Sequence, residues 1–254
     1  MGTIKENDSI LFNALKDLDA LMVENDIPPV NLKIIGGFAL LCHNVRKDTV
    51  SYTDIDYIGP EMSKDLMELA KQVGMKHHLG THWINNDFLL TGNTLEDIEE
   101  ITGKLRFTDS YRLNRIHLDI LSKTDLLKLK IIAIDTSLTA VASESTFSRV
   151  KDLSDISLLV NDLSIDLDKF IRNLEAKNLL INENTKRVVE TYMNYGITAA
   201  QELVESIKEE EELDYGDIDN SINMSEDFEN ELYNLESEII NAFNLPKPED
   251  FIYE

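Results

Sequence analysis

The sequence has only one cysteine, Cys42, in 254 residues. A single cysteine excludes a disulfide within the chain, so we expect a reducing compartment. Long apolar runs are also missing: none approaches the eighteen residues of a membrane-spanning helix. Residues 1–9 lack the basic and apolar segments of a signal peptide. These absences predict a cytoplasmic protein without a membrane partner.

Basic residues are scarce, with 24 Lys and Arg against 48 Asp and Glu, which gives a net charge of −24. The imbalance is uneven: residues 1–160 carry −7 and residues 161–254 carry −17. Such an acidic surface repels phosphate backbones and anionic membranes. It still leaves room for a small basic pocket, and residues 103–130 hold seven Lys and Arg against three Asp.

Strand and helix patterns alternate in the first half of the chain. Runs in which apolar and polar residues alternate, or in which apolar residues are continuous, predict strands over residues 30–35, 48–58, 104–108 and 111–121. Helical spacing predicts a helix over residues 10–22 after a Ser9 cap, a short one over 38–42, one from Ser63 to a stop at Gly74, and one from Ser122 to residue 134.

Only helical patterns follow residue 149, over residues 149–162, 165–178, 184–194, 197–212 and 226–243. We therefore predict an α+β fold, with a mixed sheet and flanking helices followed by an α-helical C-terminal region. The boundary is predicted near residue 160, giving a sheet-containing domain over 1–160 and an acidic helical region over 161–254.

The first candidate for chemistry is a pair of glycines, Gly36 and Gly37, between a predicted strand and a predicted helix. Glycine lets the backbone approach a phosphate closely, and the N–H groups at a helix start point toward such an anion. The pair therefore predicts a phosphate-binding turn.

A pair of aspartates, Asp54 and Asp56, follows on the next predicted strand. Side chains two residues apart in a strand project from the same face, so the carboxylates are close together. A divalent cation removes their repulsion, and Mg²⁺ prefers one or two carboxylates together with substrate phosphates. We expect Mg²⁺ or Mn²⁺ at this pair.

A third carboxylate, Asp119, lies between Leu118 and Ile120 on the last predicted strand. If this strand lies beside the first, three carboxylates can hold two metal ions roughly 3.5–4 Å apart, as in-line phosphoryl transfer requires. One ion would activate the attacking hydroxyl, and the other would neutralise the leaving pyrophosphate.

This ordered set resembles the nucleotidyltransferase superfamily with the DNA polymerase β-like catalytic fold. The matching residues are Gly36, Gly37, Asp54, Asp56 and Asp119; many relatives have serine at the second glycine. The resemblance implies transfer of a nucleoside monophosphate from an NTP to a hydroxyl acceptor, which could be RNA, a protein or a small molecule. It implies Asp54, Asp56 and Asp119 as catalytic and metal-binding residues, with Gly36 and Gly37 at the phosphates.

A narrower resemblance, to minimal bacterial nucleotidyltransferases of the AbiEii toxin type, covers about residues 30–160. It rests on the segment Trp83-Ile84-Asn85-Asn86-Asp87, on a Leu- and Lys-rich helix at residues 126–130, and on Lys151-Asp152-Leu153-Ser154-Asp155-Ile156. It implies that Lys130 contacts the NTP, that Asp152 or Asp155 positions Lys130 or the base, and that an antitoxin protein is a possible partner.

Other interpretations of these residues remain open. Lys130 fits a snorkelling lysine, and Asp152 and Asp155 fit an ordinary helix N-terminus. The acidic region 161–254 fits a non-catalytic protein that binds a basic partner. An aminoglycoside-type antibiotic nucleotidyltransferase would use an acidic pocket for its cationic substrate. Trp83 fits a core anchor better than a base-stacking platform.

Overall fold

The computed structural model describes residues 2–3, 9–46, 54–86, 99, 102–139, 150–177, 179 and 181–207. The chain divides into two compact units, Met1–Gln201 and Glu202–Glu254. The described residues of the second unit, 202–207, are helical. The first unit contains all the candidate site residues.

The first unit contains a six-stranded mixed sheet. Its strands are β1 (Gly2–Thr3), β2 (Val30–Ile34), β3 (Ile55–Ile58), β4 (Ile84–Asn85), β5 (Phe107–Arg112) and β6 (Ile116–Leu121). They lie in the order β1-β5-β6-β2-β3-β4. Strand β2 pairs in parallel with β6 and antiparallel with β3, so the glycine-bearing junction lies between the two strands that carry the aspartates.

The helices of this unit are α1 (Ile10–Glu24), α2 (Gly36–Cys42), α3 (Lys64–Lys76), α4 (Lys123–Thr139), α5 (Val150–Leu163), α6 (Leu167–Glu175) and α7 (Glu183–Tyr195). Residues 197–201 are also helical. Helix α4 packs along α5, and α7 contacts both. The mixed α+β class predicted from the sequence is confirmed.

One face of the sheet is apolar because alternate strand residues are buried there. Leu32 and Ile34 on β2 are paired with Leu118 and Ile120 on β6, and all four are at most 5% exposed. Helix α1 adds Phe12, whose ring centroid lies 5.1 Å from that of Phe38. The opposite face carries the polar residues of these strands.

A buried carboxylate, Asp19 on α1, holds the turn between β5 and β6. Its oxygens accept hydrogen bonds from the backbone N–H groups of Asn114, Arg115 and Ile116 at 3.2, 2.6 and 3.0 Å. Burial acts to raise the pKa of Asp19, but these hydrogen bonds outweigh it and leave the pKa below its ordinary value. The sequence predicted two strands over 104–108 and 111–121, with a gap at residues 109–110 between them. That gap is wrong: β5 runs through Arg112, and the chain turns at residues 113–115.

Gly74 was predicted to end α3, but the helix continues to Lys76. A Cβ atom at this position would lie 2.0 Å from the carbonyl oxygen of Gly80 and 2.4 Å from Cδ1 of Trp83. Glycine is therefore required by close packing. Trp83 is 1% exposed and donates its indole N–H to the carbonyl oxygen of Ala70 at 2.7 Å, as a core residue should.

Several predicted boundaries move by a few residues. The predicted helix starts at three serines are confirmed. The Oγ atoms of Ser9, Ser63 and Ser122 each accept a hydrogen bond from the backbone N–H of the residue three positions later. Helix α4 continues to Thr139, beyond the predicted end at residue 134. The predicted helix over 226–243 and the strand portion 48–53 lie outside the described residues.

Candidate active site

Gly36 joins β2 to α2 in a backbone conformation that favours glycine, with φ +64°. A Cβ atom built here would lie 2.3 Å from Oδ2 of Asp56, far inside contact distance. The backbone N–H of Ile35 also donates to the carbonyl oxygen of Asp56 at 3.0 Å. The glycine turn and the aspartate strand therefore fit directly together, and the missing side chain makes the room for the carboxylate.

Asp54 and Asp56 stand at the start of β3, with Asp54 immediately before its first residue. Ile55 and Tyr57 between and after them are buried, at 0% and 2% exposure. Asp54 is exposed and Asp56 is half-buried. The predicted alternation of apolar and acidic faces is confirmed, and the carboxylates project from the polar face.

Asp119 lies on the same polar face, two strands away. It is paired in register with Lys33 on β2, and Lys33 is paired with Ile58 on β3. Paired residues project from one face of a sheet, and Asp56 shares that face because it lies two residues before Ile58. Asp56 and Asp119 are offset by two strand spacings across the sheet and by two residues along the strands. This offset places their Cα atoms roughly 12 Å apart.

The side chain of Asp119 has a defined partner. Its Oδ2 atom accepts a hydrogen bond from Nδ2 of Asn31, an exposed residue on β2, at 2.9 Å. Among the described residues, no three acidic, histidine or cysteine side chains lie close enough together to hold a metal ion. The prediction that Asp119 completes a three-carboxylate metal site stays a prediction.

The donors at the pair Asp54 and Asp56 suit a magnesium ion. Both are carboxylates, they share a face, and Gly36 leaves room for the Asp56 carboxylate beside the turn. A hard divalent cation takes one or two such carboxylates and fills its remaining positions with water and phosphate oxygens. These two residues are therefore the ones that could hold the metal, next to a turn that could bind the phosphates.

Lys130 on α4 is embedded in a buried group of charges. Its ammonium contacts the carboxylates of Asp152 and Asp155 on α5, the latter at 3.0 Å. Asp155 is also bound by Nε of Arg46, just after α2, at 2.9 Å. Burial acts to lower the pKa of Lys130, but the two carboxylates outweigh it and raise the pKa. Lys130 therefore stays charged at neutral pH.

Most cations of the basic stretch over residues 103–130 are paired with carboxylates. Five of its seven cations are engaged with carboxylates: Arg106, Arg115, Lys123, Lys128 and Lys130. Asp125, for example, binds both Arg106 and Lys128 and begins α4 together with Ser122. Composition alone shows that these cations are concentrated in one stretch, but it does not show that they form ion pairs with carboxylates elsewhere in the fold.

Three residues near the candidate site were not singled out from the sequence. Asn31 holds Asp119, and Arg46 holds Asp155. His43, after α2, has Nε2 2.7 Å from the carbonyl oxygen of Leu121 and so fixes α2 to β6. The sequence offered no signal for these residues, because each contacts a partner far away along the chain.

Comparison with protein-family models, curated proteins and solved structures finds no significant match for the chain. Among the described residues, no helix is long and apolar enough to cross a membrane.

Proposed function

We propose that the chain is a metal-dependent nucleotidyltransferase, which moves a nucleoside monophosphate from an NTP to a hydroxyl acceptor. The observation that carries this proposal is the contact between Gly36 and Asp56, where a Cβ atom would lie 2.3 Å from the carboxylate. It places a strand-to-helix glycine turn, suited to phosphate, against a carboxylate pair suited to Mg²⁺.

Each site residue has a distinct part in this proposal. Asp54 and Asp56 hold Mg²⁺ or Mn²⁺, and the backbone N–H groups of Gly36 and Gly37 bind the NTP phosphates. When bound, the divalent ion neutralises charge on the triphosphate and on the pyrophosphate that leaves. Asp119 takes the proton of the acceptor hydroxyl.

Lys130 binds the triphosphate in this proposal, held in place by Asp152 and Asp155. An ammonium has three N–H donors, and two are directed at these carboxylates. The third is the one assigned to a phosphate oxygen. The two carboxylates keep Lys130 charged and fix its direction, so the bound phosphate meets an oriented cation.

NTP binding in the presence of Mg²⁺ tests the proposal directly. We expect labelled NTP to bind the wild-type protein, and Asp54→Ala combined with Asp56→Ala to abolish binding. Gly36→Ala should weaken binding at least about tenfold, because the methyl group displaces the Asp56 carboxylate. Gly59→Ala is the matched control, since its Cβ would lie an ordinary 3.6 Å from the Tyr57 ring.

Binding by the double variant equal to that of the wild type would overturn the proposal. Circular dichroism of each variant must match the wild type, so that lost binding is not lost folding. The glycine variants make the result specific to the site. Both replace a glycine by alanine shortly after a strand, Gly36 after β2 and Gly59 after β3, and only the Gly36 variant would contact Asp56.

We further propose, from the resemblance to AbiEii-type proteins, that this activity makes the chain a toxin whose partner is an antitoxin protein. Induced expression of the wild type should arrest bacterial growth, whereas Asp56→Asn at equal expression should not. Unimpaired growth with abundant wild-type protein and no partner gene would contradict the toxin role while leaving the enzymatic proposal intact.

A further inference from the structure

Asp119 shares the polar face with Asp54 and Asp56, but its side chain is held toward the start of β6, away from that pair. Its Oδ2 atom accepts a hydrogen bond from Nδ2 of Asn31 at 2.9 Å. Asn31 is paired with His117, two residues before Asp119, so the hydrogen bond draws the carboxylate toward the start of β6. Asp56 lies in the opposite direction, beyond the end of β2.

Strand β2 separates the two carboxylate positions, because it lies between β6 and β3. Lys33 on β2 is the register partner of Asp119, and it lies diagonally opposite Asp56 across the β2–β3 pairing. Its ammonium lies 5.6 Å from the centroid of the Phe107 ring. Phe107 is on β5, so the stem of Lys33 runs over β6 toward β5, away from β3 and Asp56.

We propose that Asp119 lies outside the metal site, where it contacts the acceptor hydroxyl. Asn31 is the positioning residue that holds Asp119 there. This rests on the proposed nucleotidyl transfer and deepens it. Three observations support it: the Asn31 hydrogen bond, the separation of roughly 12 Å across two strand spacings, and the finding that the described acidic, histidine and cysteine side chains form no group of three able to hold a metal.

The reaction balances with these roles. The acceptor oxygen attacks the α-phosphorus of the NTP and forms a new phosphorus–oxygen bond. The bond from the α-phosphorus to the bridging oxygen breaks, and pyrophosphate leaves with the electron pair. The acceptor proton passes to Asp119. Asn31 donates to Oδ2 and leaves Oδ1 directed at the acceptor, because a carboxylate has two oxygens that accept independently.

Metal counting separates this arrangement from a three-carboxylate site. Electron paramagnetic resonance would measure Mn²⁺ bound per chain in the presence of a non-hydrolysable NTP analogue. We expect Asp119→Asn to bind Mn²⁺ with the wild-type stoichiometry and within about twofold of its affinity, while Asp56→Asn loses at least about tenfold. Loss of Mn²⁺ by Asp119→Asn as severe as that by Asp56→Asn would overturn the inference and leave the proposed function standing.

Failure of the proposed function gives a different result. Wild-type protein that binds neither Mn²⁺ nor the NTP analogue would overturn the nucleotidyltransferase proposal and the inference together. The two cases are therefore distinguished by the wild-type measurement alone, before any variant is compared.

The role of Asn31 is tested by pyrophosphate release from labelled NTP with water as the acceptor. Asn31→Ala should lower kcat about tenfold while leaving the KM for NTP and the Mn²⁺ affinity unchanged, because only the direction of Asp119 is lost. Asn31→Gln, which keeps an amide donor, should restore part of the rate. Equal kcat for Asn31→Ala and wild type would overturn the assignment.

Ser110→Ala is the matched control for this experiment. Ser110 is the register partner of Asp119 on β5, the neighbouring strand on the side opposite β2. Ser110 therefore lies next to Asp119, as Asn31 does, but the hydrogen bond to Asp119 comes from Asn31. We expect wild-type kcat from Ser110→Ala; a loss equal to that of Asn31→Ala would show a general effect of the sheet surface and overturn the role of Asn31.

Discussion

Oδ2 of Asp155 lies 3.0 Å from Nζ of Lys130, and Oδ1 of the same carboxylate lies 2.9 Å from Nε of Arg46. The Asp155 side chain is 1% exposed, so this carboxylate joins two cations within the protein interior. It thereby connects the chain after α2 with α4 and α5. The connection matters for the candidate site because α2 begins at the glycine turn and α4 carries Lys130.

Asp155→Asn should destabilise the fold strongly. The variant leaves the mostly buried cations Lys130 and Arg46 with one fewer negative partner. Removing one member of a buried ion pair costs about 3–5 kcal/mol. Urea unfolding followed by circular dichroism would measure the free energy of unfolding. Asp162→Asn is the control: Lys123 binds Asp162 at 2.7 Å, but both side chains are about a third exposed. Its cost should stay below about 1 kcal/mol.

Near-equal losses of stability from Asp155→Asn and Asp162→Asn would contradict this account of the interior charges. A small effect of both would mean that water reaches Asp155 in solution. A large effect of both would mean that the exposed pair stabilises the fold far more than such pairs ordinarily do.

Lys130→Met should lower NTP affinity about tenfold, because a charge-assisted contact to a phosphate oxygen is lost. Lys128→Met is a closely matched comparison, because Lys128 is another largely buried lysine of α4. It binds Asp125 at 3.0 Å and the carbonyl oxygen of Thr102 at 2.7 Å. Both variants should be less stable than the wild type, and only Lys130→Met should bind NTP more weakly. Equal NTP affinities for the two folded variants would remove Lys130 from the proposed site.

Asp19→Asn should cost about 1–3 kcal/mol at pH 7, because three backbone N–H groups lose a carboxylate partner. The effect should depend on pH. The pKa of folded Asp19 lies below its ordinary value, so the carboxylate stabilises the fold fully above about pH 4–5. That stabilisation is lost as the pH falls through the folded pKa.

Urea unfolding of Asp19→Asn and wild type at pH 7, 5 and 3 would therefore show a stability difference that narrows at the lowest pH. Asp26→Asn gives the comparison. The Asp26 side chain is 93% exposed, and its partner Arg115 lies in the same turn. A difference for Asp19→Asn that does not change with pH would mean that the carboxylate charge is not what holds the turn.

Local patterns in the sequence predicted the parts of the fold that depend on neighbours in the chain. Ser63 and Ser122 begin helices because capping involves residues three apart, and Ile55 and Tyr57 are buried because strand faces alternate. The fit of Gly36 against Asp56 also follows from local order, since the strand, the turn and the next strand are consecutive.

Contacts between distant parts of the chain could not be read in the same way. Asp19 binds residues 95 to 97 positions later, and Arg46 binds Asp155 across more than a hundred residues. The spacing of residues in the sequence does not indicate which acidic side chain binds which cation. For the same reason the basic stretch over residues 103–130 suggested a phosphate pocket, although most of its charges are paired elsewhere in the structure.

Gly74→Ala should destabilise the fold by about 1–3 kcal/mol, although alanine within a helix ordinarily gains about 1 kcal/mol over glycine. The added methyl group would meet the backbone carbonyl of Gly80 at 2.0 Å, and backbone cannot rotate away as a side chain can. Gly59→Ala should be nearly neutral because its Cβ has ordinary contacts. Thermal and urea unfolding of both variants would check this, and a Gly74→Ala protein more stable than the wild type would show that helix propensity outweighs the close packing against Trp83.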